Sequence, residues 1–258
     1  MPGSDDNRWI VTAPRRRGAL YAKAAKTAER LGLPYVERGE DSFATIFERT
    51  GAIAAFVETE DFPLIQTQAG QLFFHENTAG RRTTHPGRTD ALLRALETRP
   101  DDRILDATVG LACDALVIAT SLDSGKITGV ESNPLLADLV SRGLKEYTFK
   151  KTHLESAADK IEIVHADHVE FMRTLGDGEY DLIYFDPMFT ETVSASPMMQ
   201  RVRALADKTQ LSEEALREAA RVARRRVVVK GRRGCFGPFN FPRIIQSGRT
   251  VFYGIIDV

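Results

Sequence analysis

Arg103-Ile-Leu-Asp-Ala-Thr-Val-Gly-Leu-Ala-Cys-Asp114 decides the fold. A short apolar strand over 103–107 runs into a turn that holds Gly110, and helical residues 112–121 follow. The same rhythm recurs around it. Helical stretches at 89–98, 134–146, 168–175 and 211–224 alternate with strands at 127–131, 161–165, 181–185 and 226–230, and residues 250–257 read as a last strand. Asn133 and Pro134 supply the cap and first turn of the helix at 134–146, where Leu136, Val140 and Leu144 fall at helical spacing. Strands separated by helices imply an α/β fold, with a mostly parallel sheet covered on both faces.

Residues 1–87 read differently, as a small α+β domain ahead of an 88–258 domain. Trp9-Ile10-Val11 suggests a strand. Residues Ala19 to Leu31 suggest a helix that closes at Gly32 and Pro34. Phe43–Phe47, Ala54–Val57 and Gln71–Phe74 are short β-branched or aromatic runs, expected to be strands. The Gly, Pro and Thr content of Thr78 to Arg88 predicts a loop.

With 43% hydrophobic and 28% charged residues, the chain has ordinary globular usage, which excludes a disordered or fibrous protein. No apolar run reaches the roughly 20 residues of a membrane helix. The opening MPGSDDNRW lacks a signal peptide's apolar stretch. Cys113 and Cys235 form neither a zinc spacing nor a disulfide framework, so the expectation is a cytoplasmic protein with no metal and no membrane. The net charge of −1 confines any nucleic-acid surface to a local patch.

Ligands of open parallel sheets bind at the carboxyl edge. Four consecutive strands deliver an acid there: Asp106 before the Gly110 turn and Asp114, Glu131 before Ser132, Asp167 before His168, and Asp186 before Pro187. A carboxylate after the second strand suits two ribose hydroxyls, Asp167 suits an adenine amine, and Gly110 lets backbone approach a ligand. A pyrophosphate cofactor would want G-x-G-x-x-G and few acids. The turn here has one glycine and an aspartate, which favours S-adenosylmethionine, a cofactor with a sulfonium and an ammonium and no phosphate.

Asp186-Pro187-Met188-Phe189 matches the needs of a planar amine nucleophile. The Asp186 carboxylate and the Pro187 carbonyl would take the two N–H groups, and Phe189 would stack on the base. In-line positioning and electrostatics would then supply the rate.

Together with His165-Ala-Asp-His168 and Arg226-Val-Val-Val-Lys230, these motifs make residues 80–258 resemble the RsmJ family. These are class I S-adenosylmethionine-dependent methyltransferases acting on a guanine N2 of bacterial small-subunit ribosomal RNA. The resemblance implies a Rossmann-like seven-stranded sheet. It implies cofactor contacts at Cys113, Asp114, Glu131, Ser132, Asp167, His168 and Asp186. This chain departs from the family in having Gly110-Leu-Ala112-Cys113-Asp114 where the family turn runs Gly-Leu-Gly-Arg-Asp. Asp167-His168 replaces a Ser-Ser pair, and Thr190-Glu191 follows the Asp-Pro-Met-Phe corner.

Basic residues gather at Arg15–Arg17, at Arg81, Arg82, His85 and Arg88, and most densely from Arg221 to Arg233. Arg88, Lys230, Arg232 and Arg233 are the expected contacts to ribosomal RNA or the small ribosomal subunit. Alternatives are another planar amine (DNA adenine, a protein amide or a small molecule), or a cofactor-binding module without turnover.

Overall fold

The computed structural model describes residues 9–15, 18–83, 90–187, 211–232, 236, 239 and 241–258. Arg88, Phe189, Arg233, Arg16, Arg17 and His85, named above, lie outside these residues. The chain begins with β1 (Trp9–Thr12), α1 (Gly18–Leu31), α2 (Phe43–Thr50), β2 (Ala54–Val57), β3 (Leu64–Thr67), β4 (Gly70–Leu72) and α3 (Asn77–Arg82). It continues with α4 (Ala91–Leu96), β5 (Arg103–Asp106), α5 (Cys113–Ala119), β6 (Lys126–Glu131), α6 (Pro134–Glu146), α7 (Thr152–Ala158), β7 (Ile161–His165), α8 (His168–Arg173) and β8 (Tyr180–Phe185). After these come α9 (Glu213–Val222), β9 (Ala223–Gly231), β10 (Arg243–Ser247) and β11 (Val251–Asp257).

Seven strands form one sheet in the order β10-β11-β9-β8-β5-β6-β7. Strands β5 to β9 run parallel, and β11 is antiparallel to both its neighbours. From β5 the chain winds outward through β6 and β7, then returns to β5's other side for β8. The strand ends of β5 and β8 therefore flank the point where winding reverses, which opens a crevice in such sheets.

Central strands buried on both faces need apolar residues through their middles, and these have them. Ile104, Leu182, Tyr184 and Val228 face one apolar layer with α4, α5, α6 and α7. Their neighbours Leu105, Ile183, Val227 and Val229 face a second layer with α8 and α9. The small sheet, ordered β1-β2-β3-β4, adds Val11, Phe56 and Ile65 to the first layer, joined by Phe74 just past β4. Its other face, with Ile10, Ala55 and Val57, is covered by Ile46 and Phe47 of α2. At the seam the Phe74 ring lies on Gly143 of α6, where a Cβ would stand 2.2 Å from the ring. Beside it the fully buried Glu58 carboxylate accepts from Thr27 (2.7 Å) and Arg142 (2.6 Å).

Three expectations for the first 88 residues are corrected. Phe43–Phe47 is helix rather than strand. Phe43, Ile46 and Phe47 share a helical face, Ser42 caps it by accepting from the Thr45 N–H, and Gly51 ends it at φ +72°. The Gln71–Phe74 strand ends at Leu72, and α3 occupies the first half of the stretch expected to be a loop. Strands β3 and β10 and helix α7 were not foreseen.

Candidate active site

Asp106 ends β5, in register with Gly129 of β6 and Tyr184 of β8. The turn after it lies against β6: the Val109 N–H donates to the Val130 carbonyl (3.0 Å). A Cβ on Gly129 would meet the Val109 side chain at 2.8 Å, so that strand position must be glycine for the turn to sit there. Gly110 (φ +52°) and Ala112 (φ +57°) are both left-handed. Glycine adopts that conformation freely, whereas alanine pays about 1 kcal/mol. The turn delivers Asp114 into the first turn of α5.

Asp114 is the hub of a charge network. Its Oδ2 accepts from the Tyr184 hydroxyl (2.6 Å) and from Lys230 Nζ (2.7 Å), and its Oδ1 pairs with Arg82 of α3. Arg82 also holds both oxygens of Asp90. Lys230 Nζ donates again to Asp186 Oδ2 (2.7 Å). The Asp186 backbone N–H donates to Thr108 Oγ1 (2.6 Å), and the Thr108 N–H donates to Asp106 Oδ1 (3.2 Å). Lys230 thus joins the Asp114 and Asp186 carboxyls, and Thr108 ties the Asp106 carboxyl to the Asp186 backbone.

Their electrostatics diverge. Burial drives Asp106, 1% exposed, well above the usual carboxylate range, and the charges of Asp114 and Asp186 add to the rise. Desolvation also raises Asp186; Lys230 opposes the rise and Asp114 adds to it. Burial alone would raise Asp114, but Lys230 and Arg82 overturn that and hold it well below the usual range. The Lys230 ammonium is stabilised by Asp114 and Asp186 in spite of its burial. Burial keeps the Tyr184 phenol protonated and pushes the Cys113 thiol up to about 11, so Cys113 stays a neutral thiol.

The remaining candidate residues stand along the same edge. Glu131 ends β6, and its Oε1 accepts from the Asn133 N–H (2.9 Å). The Ser132 carbonyl lies 3.1 Å from His165 Nε2. Asp167 caps α8 by accepting from the Val169 and Glu170 N–H groups. The His168 ring packs edge-on to Phe185, 5.7 Å between centroids. The acids after β8, β5, β6 and β7 therefore line one rim. Asp106, Asp114 and Asp186 share a single network within it, and Glu131 and Asp167 stand at the next two strand ends.

The dense basic cluster is not one surface. Arg221, Arg224 and Arg225 bond to Asp177, Asp181 and Asp102 near the start of β9, about 20 Å of strand from Lys230. Lys230 is engaged by the two aspartates, and Arg232, just past β9, is exposed at the acid-lined edge. Sequence reasoning missed Tyr184, Thr108 and Arg82 as site residues. Arg82 stood out only as a member of a basic group, and nothing local marks its two acidic partners.

An acid rim beside a turn with a single left-handed glycine, and with no glycine-rich phosphate cradle, fits a cofactor bearing cationic groups and hydroxyls. Among the described residues no group of three or more His, Cys, Asp or Glu is placed to hold a metal ion, and no helix is long and apolar enough to cross a membrane.

Comparison with known proteins agrees. The family model described as "Putative SAM-dependent methyltransferase" matches residues 47–235. The chain is 31% identical over 253 residues to the uncharacterized protein YpiP of Bacillus subtilis, covering 96% of this chain and 98% of that one. It is 26% identical over 217 residues to ribosomal RNA small subunit methyltransferase J of Shewanella sediminis, covering 82% and 81%. In fold it is similar to the crystal structure of a SAM-dependent methyltransferase from Neisseria gonorrhoeae, with a TM-score of 0.64 at 19% identity, covering 96% and 94%. The family match spans well over half the chain. The chain belongs to the S-adenosylmethionine-dependent methyltransferases.

Proposed function

We propose that this enzyme methylates an exocyclic amine of a nucleobase, guanine N2 in small-subunit ribosomal RNA, and that it does so in the cytoplasm. The observation that carries the reading is the placement of Asp186. Its backbone is tied to Thr108 beside the cofactor turn, and its carboxylate keeps Oδ1 clear of the Lys230 bond. Relatives named ribosomal RNA small subunit methyltransferase J, at 26–30% identity, support the acceptor class.

Glu131 would hold the ribose hydroxyls and Asp167 the adenine amine, with Asp106, Gly110, Cys113, Asp114, Ser132 and His168 completing the cofactor site. When bound, S-adenosylmethionine supplies a methyl group on a sulfonium, whose sulfur departs as a neutral thioether. Asp186 and the Pro187 carbonyl accept the two amine N–H groups and turn the nitrogen lone pair toward the methyl carbon. The new N–C bond leaves a cationic nitrogen that is acidic enough to release its proton to Asp186 or water, so no strong base is needed. Phe189 would stack on the base, and Arg88, Arg232 and Arg233 would meet phosphates. Residues 1–87, a small α+β domain that shares an apolar layer with the larger sheet, would serve substrate recognition or a structural role.

The test incubates the protein and tritiated cofactor with small-subunit RNA, assembled small subunits, tRNA and DNA, and maps the modified base. Label at a guanine N2 of small-subunit RNA, abolished by Asp186→Ala, is the expected result. Label on DNA or protein alone overturns it.

A further inference from the structure

Lys230 bridges two carboxylates from different parts of the site. Its side chain is 23% exposed, and two of its three N–H donors are spent at 2.7 Å on Asp114 and Asp186. We infer that Lys230 is a positioning residue for methyl transfer: lodged between the cofactor turn and the end of β8, its ammonium holds the Asp186 carboxylate by Oδ2 and reserves Oδ1 for the acceptor amine. This inference rests on the reading of Asp186 given above.

The geometry makes Lys230 the link between two half-sites. Asp114 belongs to the turn that would hold the methionine end of the cofactor, and Asp186 belongs to the corner that would hold the base. A single ammonium bonded to both fixes the distance between them, and small errors in that distance cost rate steeply. The charges require it as well. Desolvation presses Asp186 toward its neutral form, and the charge of Asp114 on α5 adds to the pressure. A protonated Asp186 would present an O–H donor to an amine that needs an acceptor.

Opposing this are Lys230 from β9 and, at longer range, Arg82 from α3. Arg82 is engaged by Asp90 and Asp114. The phenols of Tyr184 on β8 and Tyr253 on β11 also face the cluster; burial raises both, Tyr253 to about 12, so they add no charge. Among the described residues Lys230 is the cation bonded to Asp186.

The experiment compares wild type with Lys230→Met, Lys230→Arg and Asp186→Asn. The first readout is a 13C-carboxyl NMR titration, with Asp186→Asn assigning the signal. Lys230→Met is expected to move the Asp186 midpoint upward by about one pH unit or more. The second readout is methylation of small-subunit RNA across pH. Lys230→Met should lower kcat by roughly 10- to 100-fold with KM for RNA within about threefold, and should carry the acid limb to higher pH. Lys230→Arg should retain most of the rate.

An unchanged Asp186 titration overturns the inference. So does a raised KM with unchanged kcat and a weaker salt dependence, the signature of a phosphate contact. Full activity of Asp186→Asn would sink the reading of Asp186 itself. An inactive Asp186→Asn beside a fully active Lys230→Met would sink only the role of Lys230. If Lys230→Met fails to fold, Lys230→Gln replaces it in both measurements. If none of the RNAs is methylated, the titration alone decides.

Discussion

Tyr184 and Asp114, 70 residues apart in the chain, meet through a 2.6 Å hydrogen bond in which a fully buried phenol donates to a carboxylate held between two cations. Tyr184→Phe removes that donor and leaves Arg82 and Lys230 in place. Unfolding in urea at neutral pH should show a loss of about 2 kcal/mol, the scale of a hydrogen bond to a charged group. The depressed Asp114 stabilises the fold above its unfolded pKa near 4, and that contribution is lost as pH falls through its lower folded value. The gap between parent and variant should therefore narrow in strong acid. A gap that widens there would mean that Asp114 does not enter as an anion.

Asp106 behaves in the opposite sense. Its folded pKa is raised by burial, so the folded state holds this proton more tightly than the unfolded state. Its contribution therefore declines as pH climbs from the unfolded value, near 4, toward the raised folded value. Asp106→Asn removes the titration and keeps an oxygen for the Thr108 N–H. The melting temperature of the variant minus that of the parent should rise between about pH 4 and pH 7 in the absence of cofactor. A difference that stays flat would place Asp106 in ordinary solvent.

Apart from α7, the alternation of strands and helices from 103 to 187 was legible because each of the other elements there is set by local pattern. The helix at 134–146 and the strand at 161–165 carry the same bounds in sequence and structure. Phe43–Phe47 misled because its residue types favour strands while its spacing favours a helix, and Ser42 and Gly51 decide the matter. The edge strand β10 has half-exposed residues and takes its identity from pairing with β11. The rim of acids was readable as one residue per strand end. The cations that organise it were not: Lys230 lies 116 residues from Asp114 and 44 from Asp186, and Arg82 lies 32 from Asp114. Long-range ion pairs leave no periodicity, so Lys230 and Arg82 read as two more basic residues.

Glu131 gives a test of the cofactor side. Its Oε1 accepts from the Asn133 N–H, so an alanine would disturb the start of α6 as well as the rim. Glu131→Gln keeps an acceptor for that N–H and removes the charge. Calorimetry with S-adenosylmethionine should show affinity weakened by about 1–2 kcal/mol in Glu131→Gln and by up to about 3 kcal/mol in Glu131→Ala. Equal, parental affinity in both would remove Glu131 from the site.

The seam between the small sheet and α6 has its own test. A methyl group at position 143 would stand 2.2–2.6 Å from three atoms of the Phe74 ring, which is itself packed against Tyr147 and Phe149. Replacing an internal helix glycine with alanine ordinarily gains about 1 kcal/mol. Overpacking of a filled core costs about 1–3 kcal/mol, and Phe74 has little room to retreat, so the clash decides the sign. Gly143→Ala should therefore lower the midpoint of thermal unfolding, and Phe74→Leu added to it should restore at least part of the loss. Cofactor affinity should hold within about threefold, because Gly143 lies some 15 Å along α6 from Asn133 and the rim. A more stable Gly143→Ala protein would show that the two sheets are not packed through this contact.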